Sequence, residues 1–158
     1  MSLMNVQFLN RAIEIASRES KDGQNGPFGA VVAFNDTLIS EGWNQVVETN
    51  DPTAHAEIVA IRKACRKLGR FELNDCTLYT SCEPCPMCLS AIYWARIPIV
   101  CYASTKEDAE KAGFDDDFIY KELVIPMDKR QVRFVQELRT QGNRVFDAWT
   151  HNPNKRMY

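Results

Sequence analysis

The stretch "TAHAEIVAIRKA", residues 53–64, has the apolar spacing of a helix that packs one face against a core. Thr53 is a suitable N-cap for this helix, and Gly69 is a suitable C-terminal stop. The same stretch places His55 and Glu57 on the first helical turn. An imidazole and a carboxylate at the start of a core-facing helix indicate that this turn takes part in chemistry as well as in packing.

A second stretch, "SCEPCPMCLSAIYWARI" (residues 81–97), predicts another helix that begins at Pro86 and ends near Arg96. Cys85 and Cys88 are three residues apart, so both thiols lie on one face at the helix start. The partial positive charge of a helix N-terminus stabilises a thiolate relative to a thiol. The pair is therefore suited to binding a soft dication.

The rest of the chain alternates strands and helices. A helix is predicted from Val6 to about Lys21, followed by a hairpin in which "FGAVVAF" and "LISEGWN" flank "NDT". Later elements are the strands "CTLYTS" (76–81) and "IVCYA" (99–103), a short helix from Lys106 to Ala112, a last strand "QVRFVQEL" and a last short helix "NRVFDAW". This order predicts an α/β protein, a three-layer α/β/α domain with a central mixed sheet.

Length and composition indicate one soluble globular domain, residues 1–158, because no linker or repeat divides the chain of 18.1 kDa. The net charge of −2 and the pI near 5.7 argue against binding to a long nucleic acid. No secretory signal pattern or apolar run of membrane-spanning length is present, so we expect a cytoplasmic protein that does not bind membranes. Clustered cysteines in that compartment more often bind metal than form disulfides.

The cysteine pair needs at least one more ligand, and the sequence contains only two histidines, His55 and His151. His55 and Cys85 each open a helix, so two helix N-termini at the same sheet edge would bring them together. Three protein ligands leave the fourth tetrahedral position of zinc to water, which is the catalytic arrangement. Glu57 would then stand beside that water and move its protons. Cys82 is the nearest alternative ligand, but it lies before the helix.

At these residues the chain resembles a known superfamily. The stretches "GPFGAVV", "GWN", "DPTAHAEIVAIRKA" and "YTSCEPCPMCLSAIYWARI" are similar to the zinc-dependent cytidine and deoxycytidylate deaminases, whose signature is H-x-E…P-C-x-x-C. The resemblance runs roughly from Pro27 to Tyr120 and is strongest to the branch of tRNA adenosine deaminases and guanine deaminases. It implies a cytidine deaminase-like fold, one Zn²⁺ per subunit and a homodimer. It also implies a proton shuttle, Glu57, and three metal ligands: His55, Cys85 and Cys88.

The acidic stretch "GFDDDFIYKEL" resembles the small bacterial guanine deaminases, and the likeness continues into the tail "NKRMY". Adjacent aspartates repel a phosphodiester backbone but suit a small base that presents N–H groups. The resemblance therefore implies hydrolysis of a cyclic amidine C–N bond, guanine to xanthine and ammonia, in purine catabolism. The same resemblance implies that Asn44 binds the polar edge of the purine and that Asp116 accepts hydrogen bonds from its N–H groups. It also implies that Phe28 and Trp94 cover the ring faces and that the C-terminal Tyr158 helps to close the pocket. Ala56 is a further substrate-binding residue.

Several alternatives remain at this stage. An enzyme for guanosine or for another amino-heterocycle, such as a triazine, would have the same metal centre. Only the size of its substrate pocket would differ. A tRNA adenosine deaminase is disfavoured by the acidic balance, and a non-catalytic zinc-stabilised binding module would not need Glu57. The apolar residues after Val132 leave two arrangements open for the segment from about 130 to 158, which either packs on its own domain or exchanges between subunits.

Overall fold

The computed structural model describes residues 4–158, so the first three residues of the predicted domain lie outside the described residues. It contains a four-stranded mixed sheet of β1 (Gly29–Phe34), β2 (Thr37–Trp43), β3 (Cys76–Cys82) and β4 (Ile99–Ser104), in the order β2-β1-β3-β4. Strand β1 is antiparallel to β2 and β3, and β3 is parallel to β4. The predicted mixed α/β sheet is confirmed.

The described chain divides into two compact units, one up to Tyr120 and the other from Lys121 to Tyr158. The sheet lies in the first unit. Nowhere in residues 4–158 is there a helix with the length and apolarity needed to cross a bilayer. The helices are α1 (Val6–Glu19), α2 (Val46–Thr49), α3 (Ala56–Leu68), α4 (Pro86–Trp94), α5 (Lys106–Lys111), α6 (Asp117–Val124) and α7 (Arg139–His151), with a 3-10 turn at Met127–Lys129.

The predicted hairpin is confirmed, and a two-residue turn joins its two antiparallel strands. Asn35 and Asp36 both have positive φ, 44° and 58°, as a two-residue type I′ connection requires. Asn and Asp adopt this left-handed backbone more readily than most residues. The register shifts once between Val32 and Ala33, and beyond this shift Ala30 lies opposite Gly42.

Alternate residues of the strands face two helical layers, which makes the domain α/β/α. One buried face packs with α3 and α4, and the other packs with α1. This is the period-two pattern expected for a sheet covered on both sides. The first face includes Ala30, Val32 and Leu78, and the second includes Val31, Ala33 and Tyr79.

Two glycines bring helix backbones into direct contact with the sheet. A Cβ at Gly42 would lie 2.2 Å from the carbonyl oxygen of Ala56 and 2.6 Å from the amide nitrogen of Ala60. A Cβ at Gly29 would lie 2.2 Å from the carbonyl oxygen of Ala12. Only glycine permits these approaches without a shift of the helices. Strand β2 therefore fixes the position of the first turn of α3.

The N-cap of α3 is His55, so the prediction of Thr53 was wrong. The amide and the hydroxyl of Thr53 both donate to Oδ1 of Asp51, at 2.8 and 2.7 Å. Thr53 thus closes a local turn before the helix begins. The predicted helix end at Gly69 is confirmed, since Gly69 has φ 66° and its amide donates to the carbonyl of Cys65.

The C-terminal predictions were less accurate. Residues 131–138, "QVRFVQEL", form no strand, because their apolar side chains do not keep a period of two. The final helix α7 is longer than "NRVFDAW". Helix α6 was not predicted, although Asp115 accepts a hydrogen bond from the amide of Phe118 at 3.1 Å. Part of the acidic run is therefore a helix start.

Candidate active site

His55 and Cys85 are the N-cap residues of α3 and α4. Both have extended backbone, and neither side chain makes the usual capping hydrogen bond. Their carbonyl groups accept the first helical hydrogen bonds, from the amides of Val59 at 2.9 Å and Leu89 at 2.8 Å. At both helix starts the backbone carbonyl makes the first helical hydrogen bond, and the side chain takes no part in capping. The imidazole and the thiol therefore both face a common point.

Three donor atoms meet at that point. Nδ1 of His55 lies 3.5 Å from Sγ of Cys85 and 3.5 Å from Sγ of Cys88, and all three atoms lie within 4.8 Å of one another. Zinc binds sulfur at about 2.3 Å and nitrogen at about 2.0–2.1 Å, so tetrahedral geometry separates nitrogen and sulfur by about 3.5–3.6 Å. The donor types and their spacing therefore fit one zinc ion.

The charges of the thiols also fit a dication. The pKa of Cys85 is lowered to about 4, chiefly because the thiol of Cys88 donates a hydrogen bond to it and also because His55 is close. The pKa of Cys88 is raised by that same hydrogen bond and by burial. The pair thus carries one negative charge readily, and a second requires a cation in place of the remaining proton.

Cys82 is buried on β3 but lies outside this group of donors. Its thiol donates to the carbonyl oxygen of Thr105 at 3.5 Å. Burial raises the pKa of Cys82 to about 11, which keeps the thiol neutral. These contacts support the expectation that Cys82 is not a metal ligand.

Glu57 lies in the first turn of α3 and is only 5% exposed. The hydroxyl of Thr80 donates to Oε1 at 3.2 Å, and the thiol of Cys88 lies 3.5 Å from Oε2. Burial raises the pKa of Glu57 above the ordinary value of a carboxyl group. A raised pKa brings a carboxyl group closer to the range in which it both accepts and releases a proton near neutral pH.

A cavity opens beside Glu57 and the donor group. One wall is apolar, since the rings of Phe28 and Phe114 pack edge to face with centroids 4.8 Å apart. Polar and charged side chains form the rest of the wall, so the cavity suits a flat heterocycle with polar edges. Its lining residues are Phe28, Asn44, His55, Glu57, Glu83, Cys85, Phe114 and Asp116.

Asn44 and Asp116 supply opposite hydrogen-bonding character to this cavity. Oδ1 of the buried Asn44 accepts from the amide of Val46 at 3.3 Å, so its Nδ2 group is left to donate. Asp116 is half-buried, and burial raises the pKa of its carboxyl group, with a further contribution from the charge of Cys85. The two side chains together can pair with an acceptor and a donor on one ligand.

Three of the predicted substrate-binding residues do not line the cavity. Ala56 is fully buried and contacts Gly42 of β2 through its backbone. Trp94 is the last residue of α4 and is 63% exposed. Tyr158 belongs to the second unit and is 72% exposed. Their contact with substrate stays a prediction.

Three residues at the site were not predicted. Glu83 lines the cavity, and its carboxylate accepts from the amide of Lys106 at 3.2 Å. Glu83 and Phe114 lie inside "SCEPC" and "GFDDDF", so position within these stretches was the available signal. Thr80 gave no signal, because a threonine in a strand is ordinary.

Comparisons with known proteins agree with this arrangement. Residues 4–104 match the model of the cytidine and deoxycytidylate deaminase zinc-binding region. A guanine deaminase from Bacillus subtilis is 53% identical over 151 residues, 96% of this chain and 97% of that protein. A tRNA-specific adenosine deaminase from Buchnera aphidicola is 35% identical over 73% of this chain and 74% of that protein. The X-ray structure of guanine deaminase from Bacillus subtilis superposes with a TM-score of 0.94, at 52% identity, covering 98% of this chain and 99% of that chain.

Proposed function

The chain belongs to the cytidine and deoxycytidylate deaminase family, and from that premise we infer that it is a zinc-dependent enzyme that hydrolyses guanine to xanthine and ammonia. The observation that carries this function is one cavity that joins the His/Cys/Cys donor group, Glu57 and Asp116. The tRNA-specific relative matches a smaller part of the chain at lower identity than the guanine deaminase does.

His55, Cys85 and Cys88 would hold the zinc through Nδ1 and the two sulfur atoms. When bound, zinc lowers the pKa of a coordinated water to roughly 7 and so supplies a nucleophile at neutral pH. The two helix N-termini add partial positive charge that favours the thiolate form of both cysteines.

Glu57 carries the protons of the reaction. It takes one proton from the attacking water and delivers it to ring N3 of guanine while the water oxygen bonds to C2. It then moves the second water proton to the amino group on C2, the C–N bond breaks and ammonia leaves. The ring keeps the oxygen on C2 and a hydrogen on N3, which is xanthine. Oε2 of Glu57 faces the donor group through Cys88, the side on which this transfer is needed.

Asn44, Asp116 and Phe28 bind and orient the purine. Asn44 donates through Nδ2 to an acceptor on the polar edge of guanine, and Asp116 accepts from its N–H groups. Phe28, braced edge-on by Phe114, covers one ring face. A base without the matching N–H groups leaves the half-buried Asp116 unpaired, so the site discriminates against it. The contributions of Ala56, Trp94 and Tyr158 are proposed from the family resemblance alone.

Ammonia release from a panel of bases and nucleosides tests this function. Guanine, guanosine, adenine, cytosine and the other nucleosides are each supplied to protein whose zinc content is measured on the same sample. We expect guanine to release ammonia fastest, with one zinc per chain. Ammonia from guanosine and not from guanine would refute the substrate, and none from any base with zinc present would refute the enzyme.

We further propose that residues 1–158 act as one deaminase domain in a homodimer, with the segment from about 130 to 158 packing on the neighbouring subunit. Every residue from 131 to 158 is exposed, so this part of the chain buries none of its apolar side chains. Exposed apolar surface of this extent is typical of an interaction site. The side chains concerned are Val132, Phe134, Val135, Leu138, Val145, Phe146, Trp149, Met157 and Tyr158.

We place the enzyme in the cytoplasm, as one that acts on free purine and needs neither a membrane nor a long nucleic acid. The support is chemical. All six cysteines are free thiols, and the proposed zinc site needs two of them as thiolates. A reducing compartment keeps such thiols available for metal.

A further inference from the structure

The two oxygens of the Glu57 carboxyl group have different neighbours. Oε1 accepts from the hydroxyl of Thr80 at 3.2 Å, whereas Oε2 lies 3.5 Å from Sγ of Cys88. Glu57 is 5% exposed and Thr80 only 1% exposed, so water does not compete well for either group. Oε1 thus contacts a side chain of the sheet, and Oε2 faces the candidate metal ligands His55, Cys85 and Cys88.

The sheet sets the direction of the Thr80 hydroxyl. Thr80 lies on β3 opposite Ala30, in the row of alternate residues that packs under α3 and includes the fully buried Leu78. This row is otherwise apolar, so a hydroxyl there costs free energy unless it is hydrogen-bonded. Threonine is β-branched, which restricts the rotation of its side chain. The position of Thr80 on β3 and its restricted side chain therefore direct the hydroxyl towards Glu57.

We propose that Thr80 is a positioning residue for deamination, whose hydroxyl holds Oε1 of Glu57 so that Oε2 stays turned towards the cavity and the metal ligands. The proposal rests on the proposed function, in which Glu57 carries the protons. Without the hydroxyl the carboxyl group stays buried but loses the contact that orients it. Thr80 does not line the cavity, so substrate binding is not expected to change.

The test compares wild type, T80V and T80S as zinc-loaded full-length proteins with guanine as substrate. Valine keeps the shape of threonine and removes the hydroxyl. We expect T80V to lower kcat about tenfold, the size of one hydrogen bond to a charged group, with KM within about twofold. T80S should keep kcat within about threefold of wild type, because the hydroxyl is retained. All three proteins should contain one zinc per chain.

Two further measurements separate positioning from general damage. Ser40 is also a buried hydroxyl residue and donates to the carbonyl of Ala60 at 2.7 Å, so S40A is a matched control that should keep kcat. Chemical unfolding of T80V, E57A and the double variant measures the coupling between the two side chains without any activity assay, because alanine removes the oxygen that accepts from Thr80. We expect their effects on the free energy of unfolding to be non-additive.

The proposal is overturned if T80V keeps the wild-type kcat, if T80S loses as much as T80V, or if S40A loses as much as T80V. Additive effects of T80V and E57A on unfolding would also overturn it. A wild-type protein that leaves guanine unchanged refutes the proposed function instead, and the unfolding measurements then still decide whether Thr80 holds Glu57.

Discussion

Glu57 is the residue at which burial and reactivity are most closely linked. A carboxyl group that is 5% exposed would normally be destabilising, but this one has a hydroxyl at one oxygen and a thiol near the other. Burial raises its pKa, so protons exchange with it more readily near neutral pH. The arrangement supports the proposed role of Glu57 as the carrier of protons, next to His55 and the two cysteines proposed as metal ligands.

Replacing Glu57 by glutamine tests that division of roles. The amide is nearly the same size and still accepts from Thr80, but it does not carry a proton between water and base. We expect E57Q to keep its fold and one zinc per chain while kcat for guanine falls by about 10²–10⁴. Guanine turnover and zinc content measured on one sample check this. Glu14 is well exposed on α1, so E14Q should behave as wild type. Turnover by E57Q close to that of wild type would contradict the role.

At the scale of elements, the site depends on where two helices begin. The first turn of α3 is fixed against β2 because Gly42 lets the backbone of Ala56 approach the strand. Ala56 lies between His55 and Glu57, so the same contact sets the position of a proposed metal ligand and of the proposed proton carrier. Helix α4 begins at Pro86, which places Cys85 at its N-cap.

The variant G42A should disturb this arrangement. A Cβ at this position would lie 2.2 Å from the carbonyl oxygen of Ala56, and backbone must move to accept it. We expect a loss of about 1–3 kcal/mol in the free energy of unfolding, as for other overpacked sites, together with reduced zinc content. Denaturant unfolding and metal analysis measure the two effects. In G142A, the control, the added methyl group meets nothing within 4 Å, so stability should be unchanged or higher. Wild-type stability and zinc content in G42A would contradict the account.

The sequence predicted the elements that carry strong local signals. Helix α1 and the hairpin followed from apolar spacing and from the turn residues Asn35 and Asp36. The convergence of His55 with Cys85 and Cys88 was predictable because all three sit at helix starts. Thr80 was not, because its role comes from a register between strands and from a helix packed above them, neither of which is a local property.

The second unit contains the stretch that was predicted least well from the sequence. Val132, Phe134, Val135 and Leu138 suggested a strand, but apolar residues at 134 and 135 are adjacent and break the alternation. Residues 131–138 are all exposed, so no packing of their apolar side chains specifies a regular structure there.

At the scale of the whole molecule, the proposed homodimer predicts a concentration-dependent association that requires the C-terminal segment. Sedimentation equilibrium of the full-length chain should give the mass of two chains, about twice 18.1 kDa. A chain that ends at Arg130 should sediment as a monomer, because the exposed apolar side chains beyond it are removed. The double variant F146S/W149S, which keeps full length, should weaken association in the same direction. A full-length monomer, or a truncated dimer of unchanged affinity, would contradict the proposal.

The central claim is that one zinc ion is held by His55, Cys85 and Cys88 with its last position open to water. X-ray absorption at the zinc edge of the purified protein tests it most directly. We predict one zinc per chain with two sulfur neighbours at about 2.3 Å and two nitrogen or oxygen neighbours at about 2.0–2.1 Å. Three or four sulfur neighbours would mean that a further thiol such as Cys82 closes the site, and that result, or the absence of zinc, would contradict the account.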